Sequence, residues 1–148
     1  MIPGMKPEQE VIDQIRSFNR FYTDIIGLLD QHFLDSPFSL TEGRVLYEIR
    51  HIEDCTAKKI REKINIDEGY LSRILNAFRK KGLITKAPSS DDKRLHIIKL
   101  TETGQKEFTS LNDHSNLLIS RLIEKLSEEE CHELLSVTER IRHLLGRD

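Results

Sequence analysis

The feature that most constrains this chain is a change of hydrophobic period at Gly82. Before it, Leu71, Ile74, Leu75 and Phe78 fall at i, i+3, i+4 and i+7, the apolar stripe of a helix with one buried side. After it, Leu83 to Lys86 and Leu95 to Leu100 have the composition of two strands around the turn-rich segment Pro88-Ser89-Ser90-Asp91-Asp92-Lys93. A glycine at the junction suits the left-handed residue that closes a helix. A helix therefore runs into a hairpin with a charged tip, and the rest of the fold has to be built around that pair.

Capping signals divide the remaining sequence. Val11, Ile15, Phe18, Tyr22, Ile25 and Leu29 recur at steps of four and three, which predicts a long helix from about Pro7 to His32, broken by Asp35-Ser36-Pro37. Ser39-Leu40-Thr41-Glu42 is a capping box that opens a second helix through about His51, with Val45, Leu46 and Ile49 inward. Thr56 caps a short third helix with Ala57, Ile60 and Ile64 apolar, and Asn65-Ile66 is a tight connection to a new cap at Asp67. Thr101 caps a fifth helix carrying Phe108, Leu111, Leu118 and Leu122. Ser127-Glu128-Glu129-Glu130 opens a final one with Leu134, Leu135, Ile141 and Leu145.

The expected fold is mainly α with a small β-hairpin wing, in a single domain spanning 1–148. Residues 39–101 form a winged helix-turn-helix, and the helices over 7–34 and 102–146 are dimerisation helices. Their long apolar stripes have too little partner surface within one short subunit, which points to a homodimer.

Charge is unevenly placed. Residues 56–101 hold 12 of the 23 Lys and Arg of the chain but only 5 of its 25 Asp and Glu. A basic middle between acidic ends concentrates positive potential where a polyanion docks. Met1 to Glu10 lacks the apolar core of a secretory signal, and no stretch approaches a membrane span, so the expected location is cytoplasmic, without membrane partners. The distant pair Cys55 and Cys131 suits two reduced thiols.

No nucleophile motif, phosphate loop or metalloprotease helix is present, so no enzyme, cofactor or metal is expected. His51 with Cys55, and Cys131 with His132, do not form a compact ligand cluster. The chemistry instead suits double-stranded DNA. A helix starting at Asp67 presents Gly69, Tyr70, Ser72, Arg73 and Asn76 away from its apolar stripe, and a helix of this width fits the major groove. There Arg73 forks onto guanine, Asn76 pairs with adenine, Ser72 and Tyr70 reach phosphate or base edges, and Gly69 permits close backbone approach. Lys58, Arg79, Lys80, Lys81 and Lys86 supply phosphate contacts. At the hairpin tip Lys93 and Arg94 face the minor groove, with Asp92 as the support that aims Arg94. Asp67 and Glu68 favour the helix dipole but oppose phosphate, and Glu68 is suited to accept from cytosine.

The sequence resembles the MarR family of bacterial winged-helix regulators. The likeness is carried by Leu40-Thr41, Tyr70-Leu71-Ser72-Arg73-Ile74-Leu75, Lys81-Gly82-Leu83-Ile84, and Asp92-Lys93-Arg94 leading to Leu100-Thr101. It is most similar to the regulator portion found ahead of an acetyltransferase domain, through Phe18-Asn19-Arg20-Phe21-Tyr22, Ser36-Pro37-Phe38-Ser39-Leu40-Thr41 and Gly69 to Leu75. The 148 residues leave no room for that second domain, and no catalytic role carries over.

The resemblance implies a homodimer on a pseudo-palindromic operator, with Arg73 in the major groove and Arg94 in the minor groove. It also implies control by a small aromatic or phenolic effector, for which Arg20, Tyr22, Tyr47 and His51 are the candidate lining. Oxidant-sensing relatives are expected to carry a reactive Cys in the first helix, where this chain has none. The rival expectation is a winged helix used for protein contact, its basic face docking an acidic partner without sequence-specific DNA binding.

Overall fold

A computed structural model of the chain describes residues 7–33 and 36–146, so the expected breaker Asp35, the expected boundary at residue 34 and the terminal pair 147–148 lie outside the described residues. The order is α1 (Pro7–Phe33), α2 (Leu40–His51), α3 (Ala57–Lys63), α4 (Glu68–Lys80), β1 (Ile84–Pro88), β2 (His96–Leu100), α5 (Glu102–Ile123) and α6 (Glu128–Leu144). The chain divides into two compact units, Met1–Leu111 and Asn112–Asp148.

Local chemistry sets the helix boundaries of the first unit. Ser39 Oγ accepts from the Glu42 amide at 3.2 Å, and Glu42 Oε1 accepts from the Ser39 amide, closing the capping box. Thr56 and Asp67 cap α3 and α4 by accepting from Lys59 and Tyr70. Gly82 ends α4 with a φ of +73°; its amide donates to Arg79 and the Leu83 amide donates to Phe78, which gives partners to two of the carbonyls at the end of the helix.

The core sits in the winged helix-turn-helix. Val45, Leu46 and Ile49 of α2 pack with Ile60 of α3, Leu71, Ile74, Leu75 and Phe78 of α4, and Ile84 and Ile98 of the hairpin. Phe38 meets Phe78 edge to face at 5.9 Å. The hairpin is antiparallel, with Ile84 opposite Leu100 and Pro88 opposite His96. Its anchor to the rest is the Ile98 amide, which donates to the carbonyl of Cys55 at 2.8 Å.

The strands begin one residue later than expected, and the first runs on to Pro88. Leu83 is consumed by the closure of α4. The Leu95 amide turns back onto Asp92, which makes Leu95 a turn residue. Pro88 lacks an amide hydrogen, so it belongs at the end of this edge strand rather than inside a ladder. The start of α5 is pinned to the same corner. Thr101 donates from its amide to Leu83 and from its hydroxyl to Gly82, and its Oγ1 accepts from the Gly104 amide at 3.1 Å.

In the second unit Ser127 caps α6 by accepting from Glu130. Leu117, Leu122, Leu134, Leu135, Val137 and Ile141 are exposed there, as are Val11, Ile15, Phe18 and Tyr22 of α1 in the first unit. No helix among the described residues is long and apolar enough to cross a membrane.

Candidate nucleic-acid interface

The outward face of α4 follows from its buried one. With Leu71, Ile74, Leu75 and Phe78 fixed in the core, helical geometry turns Gly69, Tyr70, Ser72, Arg73, Asn76, Arg79 and Lys80 to solvent, and all seven are exposed. The Asp67 carboxylate orders the first turn by accepting from the Tyr70 amide at 2.9 Å. A Cβ on Gly69 would stand 3.2 Å from that carboxylate and 3.9 Å from Arg73 Nη1. The guanidinium carbon of Arg73 lies 5.8 Å from the centre of the Tyr70 ring. Glu68 is held by Arg61 of α3, 3.5 Å away, which offsets part of the negative charge at this end of the helix.

The wing tip is shaped by its own carboxylate. Asp92 Oδ1 accepts from the Arg94 amide at 3.0 Å and lies 3.5 Å from Arg94 Nε. The Arg94 side chain is nonetheless 94% exposed, so Asp92 orients it without covering it. Lys93 is exposed and Lys86 of β1 half-buried.

On α3, Lys58 is exposed, while the Lys59 ammonium donates to the carbonyls of Glu53 and Asp54 at 3.1 Å each. That pair of bonds covers a corner where Asp54 takes a left-handed φ of +46°. Between α3 and the hairpin lies an open groove of about 720 Å³, edged by Lys58 and Lys99 and by Asp54 and Asp91. The expected reading residues, the wing arginine and Lys58 all belong to the first compact unit.

The four expected effector residues fall into separate groups. Tyr47 and His51 stack with ring centres 4.0 Å apart, one turn apart on α2. Phe108 of α5 completes their cluster, its ring 5.8 Å from His51 and 6.4 Å from Tyr47. Tyr22 instead stacks on Phe18 of its own helix at 5.7 Å, and Arg20 is exposed. Among the described residues no ring contact joins the two groups. Phe108 was legible as a member of the α5 stripe but not as a neighbour of Tyr47, because that contact depends on how α5 crosses α2.

Two buried polar groups sit near the wing anchor. Cys55 is buried, and burial pushes its thiol up to about 11; nearby Lys59 opposes the shift and Glu48 adds to it. Glu48 is itself buried, and Arg44 reaches it from the next turn with Nε 2.8 Å from Oε1. Among the described residues no three His, Cys, Asp or Glu side chains gather as a metal site.

Residues 38–96 match the MarR family. The chain is 22% identical over 138 residues to the HTH-type transcriptional regulator YdgJ of Bacillus subtilis (strain 168), covering 92% of this chain and 79% of that protein. It is 28% identical over 105 residues to the HTH-type regulator YfiV of the same strain, covering 70% and 66%. Among solved structures, a mutant MarR from E. coli complexed with operator DNA superposes with a TM-score of 0.74 at 22% identity, covering 93% of this chain and 99% of that one. A mutant MepR from S. aureus gives 0.75 at 19% identity, covering 88% and 97%. These likenesses identify the fold as that of winged-helix regulators.

Proposed function

Because residues 38–96 match the MarR family, we propose that this chain is a transcription regulator that binds double-stranded DNA sequence-specifically, as a homodimer on a pseudo-palindromic operator. The observation that carries this reading is the pairing, in one compact unit, of an exposed polar helix face around Arg73 with the Asp92-braced Arg94 of the wing. Arg73, Asn76, Ser72 and Tyr70 face the major groove, with Gly69 at the point of closest approach. Arg94 and Lys93 face the minor groove, and Lys58, Arg79, Lys80, Lys81 and Lys86 meet phosphates. A mutant MarR from E. coli, a protein of this fold, is complexed with operator DNA, which supports the DNA-binding reading.

The homodimer reading is supported by the exposed apolar side chains of α1 and of the second unit, which are too numerous for a surface meant to stay wet. The terminal helices then set the spacing of the two reading helices. A monomer by light scattering at micromolar concentration overturns it. For the effector, the Tyr47, His51 and Phe108 cluster suits a small aromatic or phenolic compound. Failure of any such compound to shift the melting temperature or weaken DNA binding overturns that part alone.

The deciding experiment is a gel shift on the duplex that the chain enriches from a random-sequence pool, with salt varied. Tight binding to that duplex over random sequence is expected. Equal affinity for both overturns the reading and favours a winged helix that docks an acidic protein.

A further inference from the structure

We propose that Tyr70 is a positioning residue for Arg73: its ring face holds the guanidinium in place, and the strength with which the chain selects guanine depends on that ring rather than on its hydroxyl. The inference rests on the DNA-binding reading above and deepens it, by separating the side chain that touches the base from the one that aims it.

Four observations converge. Tyr70 and Arg73 are three residues apart on the exposed face of α4, the spacing at which helical side chains meet. The guanidinium carbon stands 5.8 Å from the ring centre, within the reach of a cation–π contact. Gly69 keeps the near side of the guanidinium open, since even a single carbon there would stand at contact distance from Nη1. Among the described residues Arg73 makes no ion pair, while the acidic side chains at the start of α4 are engaged elsewhere, Asp67 in capping the helix and Glu68 with Arg61.

A cation–π contact is made by the charge of the guanidinium and does not use up its N–H donors. Those donors form the fork that matches O6 and N7 of guanine. An arginine already held in one orientation loses less side-chain freedom on binding than one that samples solvent, so the ring adds to guanine selection through Arg73, whatever contact the tyrosine hydroxyl makes itself. A tyrosine hydroxyl is not needed for this, only a π face.

The test uses the full chain and the duplex it enriches from a random-sequence pool. The guanine read by Arg73 is located as the position whose replacement by 7-deazaguanine weakens wild-type binding but not R73A binding. Wild type should lose roughly 5- to 100-fold at that replacement. Tyr70→Phe should keep this penalty within about twofold. Tyr70→Leu and Tyr70→Met should shrink it by about two- to tenfold with an unchanged salt slope, because neither change removes a cation from the phosphate-binding set. Melting temperatures close to wild type are expected for all three, since the Tyr70 side chain is outside the core.

Several outcomes overturn the proposal alone. They are Leu and Met variants with the full wild-type penalty, a Phe variant that loses as much as Leu, or an R73A chain that still discriminates at every guanine. A wild-type chain that enriches no sequence overturns the DNA-binding reading itself, and this proposal with it.

Discussion

Gly104 packs so tightly on Leu83 that a methyl group on it would overlap the Leu83 carbonyl oxygen and stand 3.0 Å from the carbonyl carbon. The neighbour is backbone, bonded in turn to the Thr101 amide, and it has nowhere to go. Ala is the better helix former by about 1 kcal/mol, yet here overpacking against a fixed carbonyl dominates. Gly104→Ala should lower stability by about 2–3 kcal/mol or more, read from denaturant unfolding. An unchanged midpoint would show that α5 can slide off this corner.

Removing one partner of the Arg44–Glu48 pair should cost more than removing both. Glu48 is buried and bonded to Arg44 at 2.8 Å, so Arg44→Met leaves a carboxylate without its cation. Because Arg44 is itself half in water, the expected loss is about 1–3 kcal/mol, below that of a fully buried pair. The double change Arg44→Met with Glu48→Leu should recover most of it, since apolar replacements leave no stranded charge. A double variant that loses the sum of the two single effects contradicts this account.

Alkaline pH should weaken the fold through Cys55. Burial raises its thiol to about 11 in the folded chain, against an ordinary value of 9.0. Below pH 9 both states hold the proton and the thiol contributes no slope. Between 9 and 11 the unfolded chain loses it and the folded chain keeps it, so stability falls as pH rises, by about 2–3 kcal/mol in all. Comparison with Cys55→Ala, which should lack this part of the slope, isolates it from the other groups that titrate in that range. The same burial predicts that the native thiol resists alkylation at pH 8 while unfolded chain reacts.

On DNA, Arg94→Ala and Lys58→Ala should fail differently. Arg94 is braced over its own turn by Asp92, and its loss should weaken binding most where the minor groove is narrow. Lys58→Ala should weaken all duplexes alike and lower the salt slope by roughly one. Asp92→Asn, which keeps an acceptor for the Arg94 amide, should cost less affinity than Asp92→Ala. None of these wing substitutions should move the melting temperature appreciably, because Arg94 is exposed and Asp92 half-exposed. Identical losses for Arg94→Ala on all sequences would assign that residue to phosphate instead.

What was legible in the sequence is what short-range physics decides. Ser39, Thr56, Asp67 and Ser127 each cap the helix that their neighbours announce, and Gly82 takes the left-handed closing position expected of it. The outward face of α4 was equally readable, because the period of its buried residues fixes the opposite side. The strand ends were not, since Leu83 and Leu95 are claimed by a helix closure and a turn whose bonds are as local as the strand signal that competes with them. Contacts between distant segments left no trace in spacing. The Ile98 to Cys55 bond, the clash that makes Gly104 obligatory and the meeting of Phe108 with His51 each join parts of the chain that no periodicity relates. For the effector candidates this separates Tyr47 and His51, which do meet, from Tyr22, which stacks on its own helix.

The corner at Gly82 and Leu83 has a mechanical meaning. The two carbonyls there receive the hydroxyl and amide of Thr101, while their own amides close α4 and their chain continues directly into β1. Three elements thus share one rigid vertex, with no slack residue between reading helix and wing. The angle between α4 and the hairpin is then a fixed property of the first unit, like the set of a wrench. On the DNA-binding reading proposed above, operators of different width are met by moving both arms together, not by opening the jaw.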